Sequence, residues 1–312
     1  MKTVRLLVLC VMFFSFCMTL NLAVAADFPE KDITIIIPAK PGGGYDAYAK
    51  ALQPYLQKYL PQNVNIIIKY MPGAGMTRAA TAVYQAKPDG YTIGYFSIPG
   101  MVINQLLGNT EYDLKKITWI GRNDQTPYVL AAAKSAPFST IEEMQKSKEQ
   151  VVFGSESIGT TTYVMCTVIP EIFKIPYRQV TGYSGSREVI VAVMRGDAQV
   201  TTFPVTSLNK FFESGDLKPI FILDTERSKL IPNTPTTVEL GKPNLASLKL
   251  NRMIGGPPGI PQDRVKILEE ALIKAENDPE LMKWSRKTEH YYHPMTGAET
   301  KKLVVNIFDE IG

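Results

Sequence analysis

From residue 27 onward, short apolar runs alternate with longer stretches whose apolar side chains recur every three or four positions. Ile33–Ile37 is brief, β-branched and of the buried-strand type. Pro41-Gly42-Gly43-Gly44 breaks it. Residues 46–60 then carry Ala47, Leu52, Leu56 and Leu60 at helical spacing, with Pro54 expected to bend or shorten the helix. A strand over 64–69, a turn at Pro72-Gly73-Ala74-Gly75, a helix over 76–85, a turn at Lys87-Pro88-Asp89-Gly90 and a strand over 91–96 follow. Strands alternating with helices predict βαβ units and a mainly parallel sheet.

The same order recurs. A strand over 151–153 runs into Gly154-Ser155-Glu156-Ser157-Ile158-Gly159, followed by a helix over 160–168 and a strand near 179–181. The turn Gly182-Tyr183-Ser184-Gly185-Ser186, a helix over 188–194, the turn Arg195-Gly196-Asp197 and a strand over 199–203 complete it. Two like-built α/β lobes are expected. A Gly/Pro connector spans 255–261, and helix 262–276 places Val265, Leu268, Leu272 and Ile273 on one side. Asp278-Pro279 opens another helix as N-cap and first helical residue, and 299–311 is the last. The predicted division is 27–124 plus 253–312 for the first lobe and 125–252 for the second.

Residues 1–26 have a different pattern. Lys2 and Arg5 precede a long apolar run ending in Ala23-Val24-Ala25, the layout of a cleaved signal peptide. An N-terminal membrane anchor is the competing reading; the small-residue end and the lack of a basic stop-transfer flank favour cleavage. The expected product is therefore exported, into the periplasm.

Composition refines this picture. The 312 residues are 45% hydrophobic and 21% charged, enough apolar material to exclude disorder. Losing Lys2 and Arg5 with the leader takes the formal charge from +4 to +2, too little excess for a nucleic-acid partner. Cys10 and Cys17 leave as well, so Cys166 has no intramolecular partner and the core alone must hold the fold.

In an open parallel sheet, loops after the strands gather at one edge and bind ligands. Pro41-Gly42-Gly43-Gly44-Tyr45-Asp46 follows the first strand and opens a helix, so its amides and the helix dipole attract an anion. Residues 155–162 occupy the equivalent place in the second lobe and add hydroxyls. Facing each other, the two helix starts suggest a carboxylate clamp. The glycine run is equally read as a plain tight turn, Asp46 as a cap, and Tyr45 as lining the cleft or packing on the surface. A dinucleotide site lacks the third glycine of GxGxxG, and no P-loop is present.

IIIPAKPGGGYDAYAKAL, YMPGAGMTRAA, AKPDGYTIG, GYSGSREVIVAVMRGDAQV and GGPPGIPQDRVKILEEAL occur in that order along the chain. Together they resemble the substrate-binding receptors of tripartite tricarboxylate transporters, the Bug family. The resemblance implies a two-lobed, type II-like periplasmic-binding-protein fold, each lobe a mainly parallel sheet flanked by helices. It implies a monomeric receptor, not an enzyme, that closes on a small carboxylate and delivers it to membrane permease subunits. A receptor of the same fold feeding a signalling partner is the alternative, and an exported α/β enzyme a remote one. Carried over, the binding positions are Pro41, Gly42, Gly43, Gly44, Tyr45, Asp46 and Ser97 in the first lobe. In the second they are Ser155, Gly159, Thr160, Thr161, Tyr183, Ser184 and Gly185. One departure bears on the ligand: many members carry an Asp where this chain reads Phe203-Pro204, so an amino-acid ligand is disfavoured.

No cofactor or metal is expected. His290 and His293, the only histidines, have no nearby Cys or Asp to complete a ligand set. Cys166 lies in an apolar helix and reads as core. Arg187 and Glu188 either reach the cleft or form an exposed pair at a helix start.

Overall fold

The computed structural model describes residues 28–108 and 110–311. The leader expected over residues 1–26 lies outside the described residues. The first lobe opens with β1 (Ile33–Ile37), α1 (Gly44–Tyr59), β2 (Ile66–Tyr70), α2 (Thr77–Tyr84) and β3 (Thr92–Ile98), then α3 (Gly100–Leu106) and β4 (Thr118–Thr126). The second holds β5 (Tyr128–Ala133), α4 (Ile141–Gln145), β6 (Val151–Glu156), α5 (Thr161–Phe173), β7 (Tyr177–Tyr183), α6 (Ser186–Arg195), β8 (Val200–Pro204), α7 (Val205–Glu213) and β9 (Leu217–Ile222). The chain returns through β10 (Leu250–Gly256), α8 (Gln262–Glu276), α9 (Pro279–Thr288), β11 (Met295–Thr296) and α10 (Gly297–Ile311).

The first sheet has the order β11-β4-β10-β3-β1-β2, the second β7-β6-β8-β5-β9. The βαβαβ run of each lobe builds the same parallel half: β1 lies between β2 and β3, and β6 between β7 and β8. The other half is antiparallel, with β10 against β3 and β4, and β5 against β8 and β9. Both sheets are therefore mixed rather than mainly parallel. The strand–helix alternation marks only the crossover units. The antiparallel pairs join strands far apart in the chain, which local alternation does not register, and Thr118–Thr126 is too polar to read as a strand.

Pro127 alone separates β4 from β5 where the chain passes between sheets: Thr126 pairs with Leu250, and Tyr128 with Pro204. The borders expected at 124/125 and 252/253 fall inside β4 and β10. The second sheet packs one apolar core around Val129, Leu130, Phe153 and Phe221. The first sheet carries one on each face, around Ile33, Tyr48 and Leu272 and around Phe96, Trp119 and Val304. Burial in the helices follows the apolar stripes, such as Tyr48, Ala49, Leu52 and Leu56 in α1, which runs through Pro54. Asp278 caps α9 by accepting from the Glu280 amide at 2.9 Å, with Pro279 first in the helix.

β6 runs further than expected. Gly154 is a pairing residue opposite Thr201, and a Cβ there would come within 2.9 Å of Ala198 Cβ. Ser155 and Glu156 are thus strand residues whose side chains point to opposite faces.

Candidate functional site

The parallel halves place the C-terminal ends of β1 and β3 opposite those of β6 and β8. Between them is a cavity of about 550 Å³. Pro41, Gly43, Gly44, Tyr45, Ser97, Thr161, Tyr183 and Gly185 line it, from both lobes.

The other expected site residues do not line it. Gly42 has φ +89°, and its amide donates to Asp46 Oδ2 at 2.8 Å. Asp46 also accepts from Tyr70 at 2.5 Å and from Lys50. Burial would raise its carboxyl, but the Tyr70, Gly42 and Lys50 donors outweigh that and hold it below the usual range. Asp46 is therefore spent on the turn. Ser155 is turned into the second lobe, where its hydroxyl accepts from Gln179 at 2.7 Å. Thr160 caps α5 by accepting from the Tyr163 amide at 3.2 Å. The Gly159 carbonyl accepts from Asn104 of the first lobe at 2.7 Å. Ser184 lies between Lys40 Nζ and Glu188 Oε1, 2.5 Å from each.

Three groups that the sequence reading did not select define the chemistry. Arg252 on β10 lines the cavity with only 2% of its surface exposed. It pairs with Asp124 of β4, 1% exposed, which also accepts from Tyr48 at 3.0 Å and Thr126 at 2.6 Å. Burial would raise Asp124, but Arg252, His293 and the Thr126 hydroxyl hold it low. The guanidinium lies 4.6 Å from the Tyr48 ring centre and 5.1 Å from that of Tyr45. Its Nε has no hydrogen-bond partner, and Nη2 lies where a Gly44 Cβ would approach to 2.8 Å. Close by, the buried Tyr45 hydroxyl, beside Ser97, makes no hydrogen bond, and burial pushes it up to about 12. The absence of a Cβ at Gly44 thus lets a buried cation lie beside the start of α1.

Glu156 ends β6 and lines the opposite wall. Burial pushes its carboxyl up to about 7, against the Thr162 hydroxyl at 3.3 Å and the Ser186 amide, which lower it. Among the described residues it has no ion-pair partner. The ordinary value is 4.5, so folding disfavours the charged form between those pH values. Stability contributed by this group is complete below pH 4.5 and declines as pH rises through 7. Glu156→Gln is expected to match the parent in urea unfolding at pH 4 and to exceed it by up to about 3 kcal/mol at pH 8. Equal stability at both pH values would show that the carboxylate carries no burial penalty.

Lys40 closes the mouth: its ammonium, just beyond β1, pairs with Glu188 of α6 at 3.2 Å. The Ser184 hydroxyl and amide, helped by Lys40, bring Glu188 down to about 2. With both side chains half-exposed, the pair contributes little on its own. Arg187 and Glu188 both line the cavity. Deeper contacts also join the lobes, including the Gly100 amide donating to Thr161 Oγ1 at 3.1 Å.

Two signals for these groups existed in the sequence. Arg252 is a lone charge in the otherwise uncharged run of β10, and Glu156 is the only acid in the second Gly/Ser loop. Elsewhere, Cys166 is buried with its thiol pushed up to about 12. No group of three His, Cys, Asp or Glu among the described residues is placed to hold a metal, and none of their helices is long and apolar enough to cross a membrane.

The sequence profile of the tripartite tricarboxylate transporter family receptor matches residues 48–310. The chain is similar to a UPF0065 protein of Bordetella pertussis, 27% identical over 277 residues, covering 86% of this chain and 83% of that protein. Its fold is similar to that of the periplasmic binding protein BugD, with TM-score 0.82 and 19% identity, covering 91% of this chain and 96% of that one. It is also similar to MatC from Rhodopseudomonas palustris, solved with bound malate, with TM-score 0.80 and 21% identity, covering 91% and 98% of the two chains.

Proposed function

This chain belongs to the tripartite tricarboxylate transporter receptor family, and from that premise we propose that it captures a small carboxylate between its lobes and hands it to the membrane permease subunits of such a transporter. One observation carries the reading: the Gly43-Gly44 start of α1 and the buried Arg252 guanidinium meet at one wall of the interlobe cavity. Unused amides at a helix start and a desolvated guanidinium are complementary to a carboxylate. Ser97, Thr161 and Tyr183 add polar groups around it, and the fold shared with malate-bound MatC supports the ligand class.

The receptor works as a monomer in the periplasm after removal of residues 1–26. Its two lobes, each built on one of the sheets, close by rotation about the strands that cross near Pro127 and Leu250. A thermal-shift screen of mono-, di- and tricarboxylates, amino acids and sugars tests this. A carboxylate at 100 times its Kd stabilises by ~2.7 kcal/mol, which raises Tm by several degrees. A shift only with sugars, or with no carboxylate, overturns the reading.

Position 43 gives a narrower test. A Cβ at Gly43 meets nothing closer than Ser186 Oγ at 3.6 Å, so alanine fits. A tryptophan there reaches into the cavity and toward the other lobe. Gly43→Ala is expected to keep affinity within a few-fold, and Gly43→Trp to lose it. Unchanged binding by Gly43→Trp would show that this loop does not hold the ligand.

A further inference from the structure

The interlobe cavity is lined by charge of both signs, a buried guanidinium and a half-buried carboxylate, and only one is compensated. Arg252 is neutralised by Asp124. Glu156, on the opposite wall, is held by the Thr162 hydroxyl and the Ser186 amide, but among the described residues no cation lies within ion-pair distance. A carboxylate partly withdrawn from water in this way is costly unless something pairs with it. Its two donors hold the group where it lines the cavity, within reach of a ligand there. Phe203 and Pro204, which also line the cavity, supply no charge. The acid that a cationic group would need comes from β6 instead of the end of β8.

We propose that Glu156 is a specificity-determining residue that pairs with a protonated amine on the ligand, so the receptor takes an amino-carboxylate. This rests on the carboxylate reading above and narrows it: the acid end meets Arg252 and the α1 start, and the amine meets Glu156. A diacid would place a second carboxylate against Glu156 and force one of the two to take up a proton. An amine needs no such proton, and it relieves the uncompensated charge. The acid disfavours the empty folded protein, as expected of a group kept for binding rather than for stability.

The neighbouring groups leave Glu156 as the one that titrates near neutrality. Burial raises Tyr45 and Cys166 to about 12 and Tyr128 well above 10.0, so all three stay neutral. Arg252 stays charged beside Asp124, and Lys40, Arg187 and Arg195 also line the cavity. At the mouth, Glu188 lies near 2 beside Lys40 and stays ionised.

The test uses pairs that differ only in replacing a carboxylate by an amine: succinate and β-alanine, glutarate and γ-aminobutyrate, adipate and 5-aminovalerate. Binding is measured by isothermal titration calorimetry at pH 6 and pH 8. For the best-fitting chain length, the amine is expected to bind ~10-fold or more tightly than its diacid at pH 8, the range of one charged hydrogen bond. Glu156→Gln should reverse that order, and Glu156→Asp should keep its direction with a smaller ratio. Melting of the unliganded variants close to that of the parent at pH 4, below the ordinary value of 4.5, checks that they fold. If the diacid wins in the parent and weakens from pH 6 to pH 8, Glu156 acts as a neutral donor and the inference fails while the carboxylate reading stands. An amine preference that survives in Glu156→Gln also overturns it. If neither series binds, the carboxylate reading itself fails.

Discussion

Replacing Arg252 by methionine is expected to abolish carboxylate binding and to cost about 3–5 kcal/mol of stability, because it leaves a buried carboxylate without its cation. Asp124 is 1% exposed and would keep only the Tyr48 and Thr126 hydroxyls, with His293 Nδ1 at 3.8 Å. The guanidinium also packs against Tyr45 and Tyr48, a contact that methionine fills in part. Stability and binding are separable by a second change. Asp124→Asn together with Arg252→Met removes both charges, and the double variant should recover most of the lost stability in urea unfolding. It should not recover binding, because the cation beside Gly44 is still missing. Parent-like affinity in the double variant would show that Arg252 serves only Asp124. A double variant as unstable as Arg252→Met would place the cost in packing rather than in the orphaned charge.

The second large effect is expected where the lobes touch. Gly100 begins α3 in the first lobe, and a Cβ there would lie 2.5 Å from Thr161 Oγ1 and 2.7 Å from the Thr161 backbone nitrogen. Thr161 opens α5 of the second lobe, so its backbone cannot give way without moving the helix. Within the first lobe, alanine at a helix start is at no disadvantage. Gly100→Ala should therefore leave the unliganded protein about as stable as the parent while opposing closure. Weakening the closed state by ~1.4–2.7 kcal/mol lowers affinity ~10- to 100-fold. Calorimetry measures the affinity, and small-angle scattering with saturating ligand should show a larger radius of gyration than for the liganded parent. Parent-like affinity and a parent-like liganded radius would mean that this contact is no part of the binding-competent state.

The parts of the fold built from local pattern were legible in the chain. The stripe of Leu52 and Leu56, the run Ile33–Ile37 and the Asp278-Pro279 start each have a short-range cause, and each appears where that cause puts it. Several strands that make the sheets mixed were not legible, because pairing partners distant in the chain hold them. Thr118–Thr126 is a strand through its pairing with β10, whatever its composition. For the site, the glycine loop was visible because Gly42 and its neighbours state their backbone geometry directly. Ser155 and Glu156 show the limit: adjacent in a polar stretch, they point to opposite faces of one strand. The serine hydroxyl is bonded inside the second lobe, and the acid lines the cavity.

The sequence by itself determined the family, the two repeated βαβαβ units and the glycine-rich helix start at which an anion is expected. The last two follow from periodicity and backbone preference, which act over a few residues, and the family from the motifs that carry the resemblance. Only the tertiary structure decided the charge of the cavity. Arg252 and Asp124 are 128 residues apart in the chain and become an ion pair because β10 lies beside β4. Glu156 acquires its raised carboxyl only when the surrounding protein excludes water from it. Burial and partners set the ionisation of such groups, and both are properties of the folded protein.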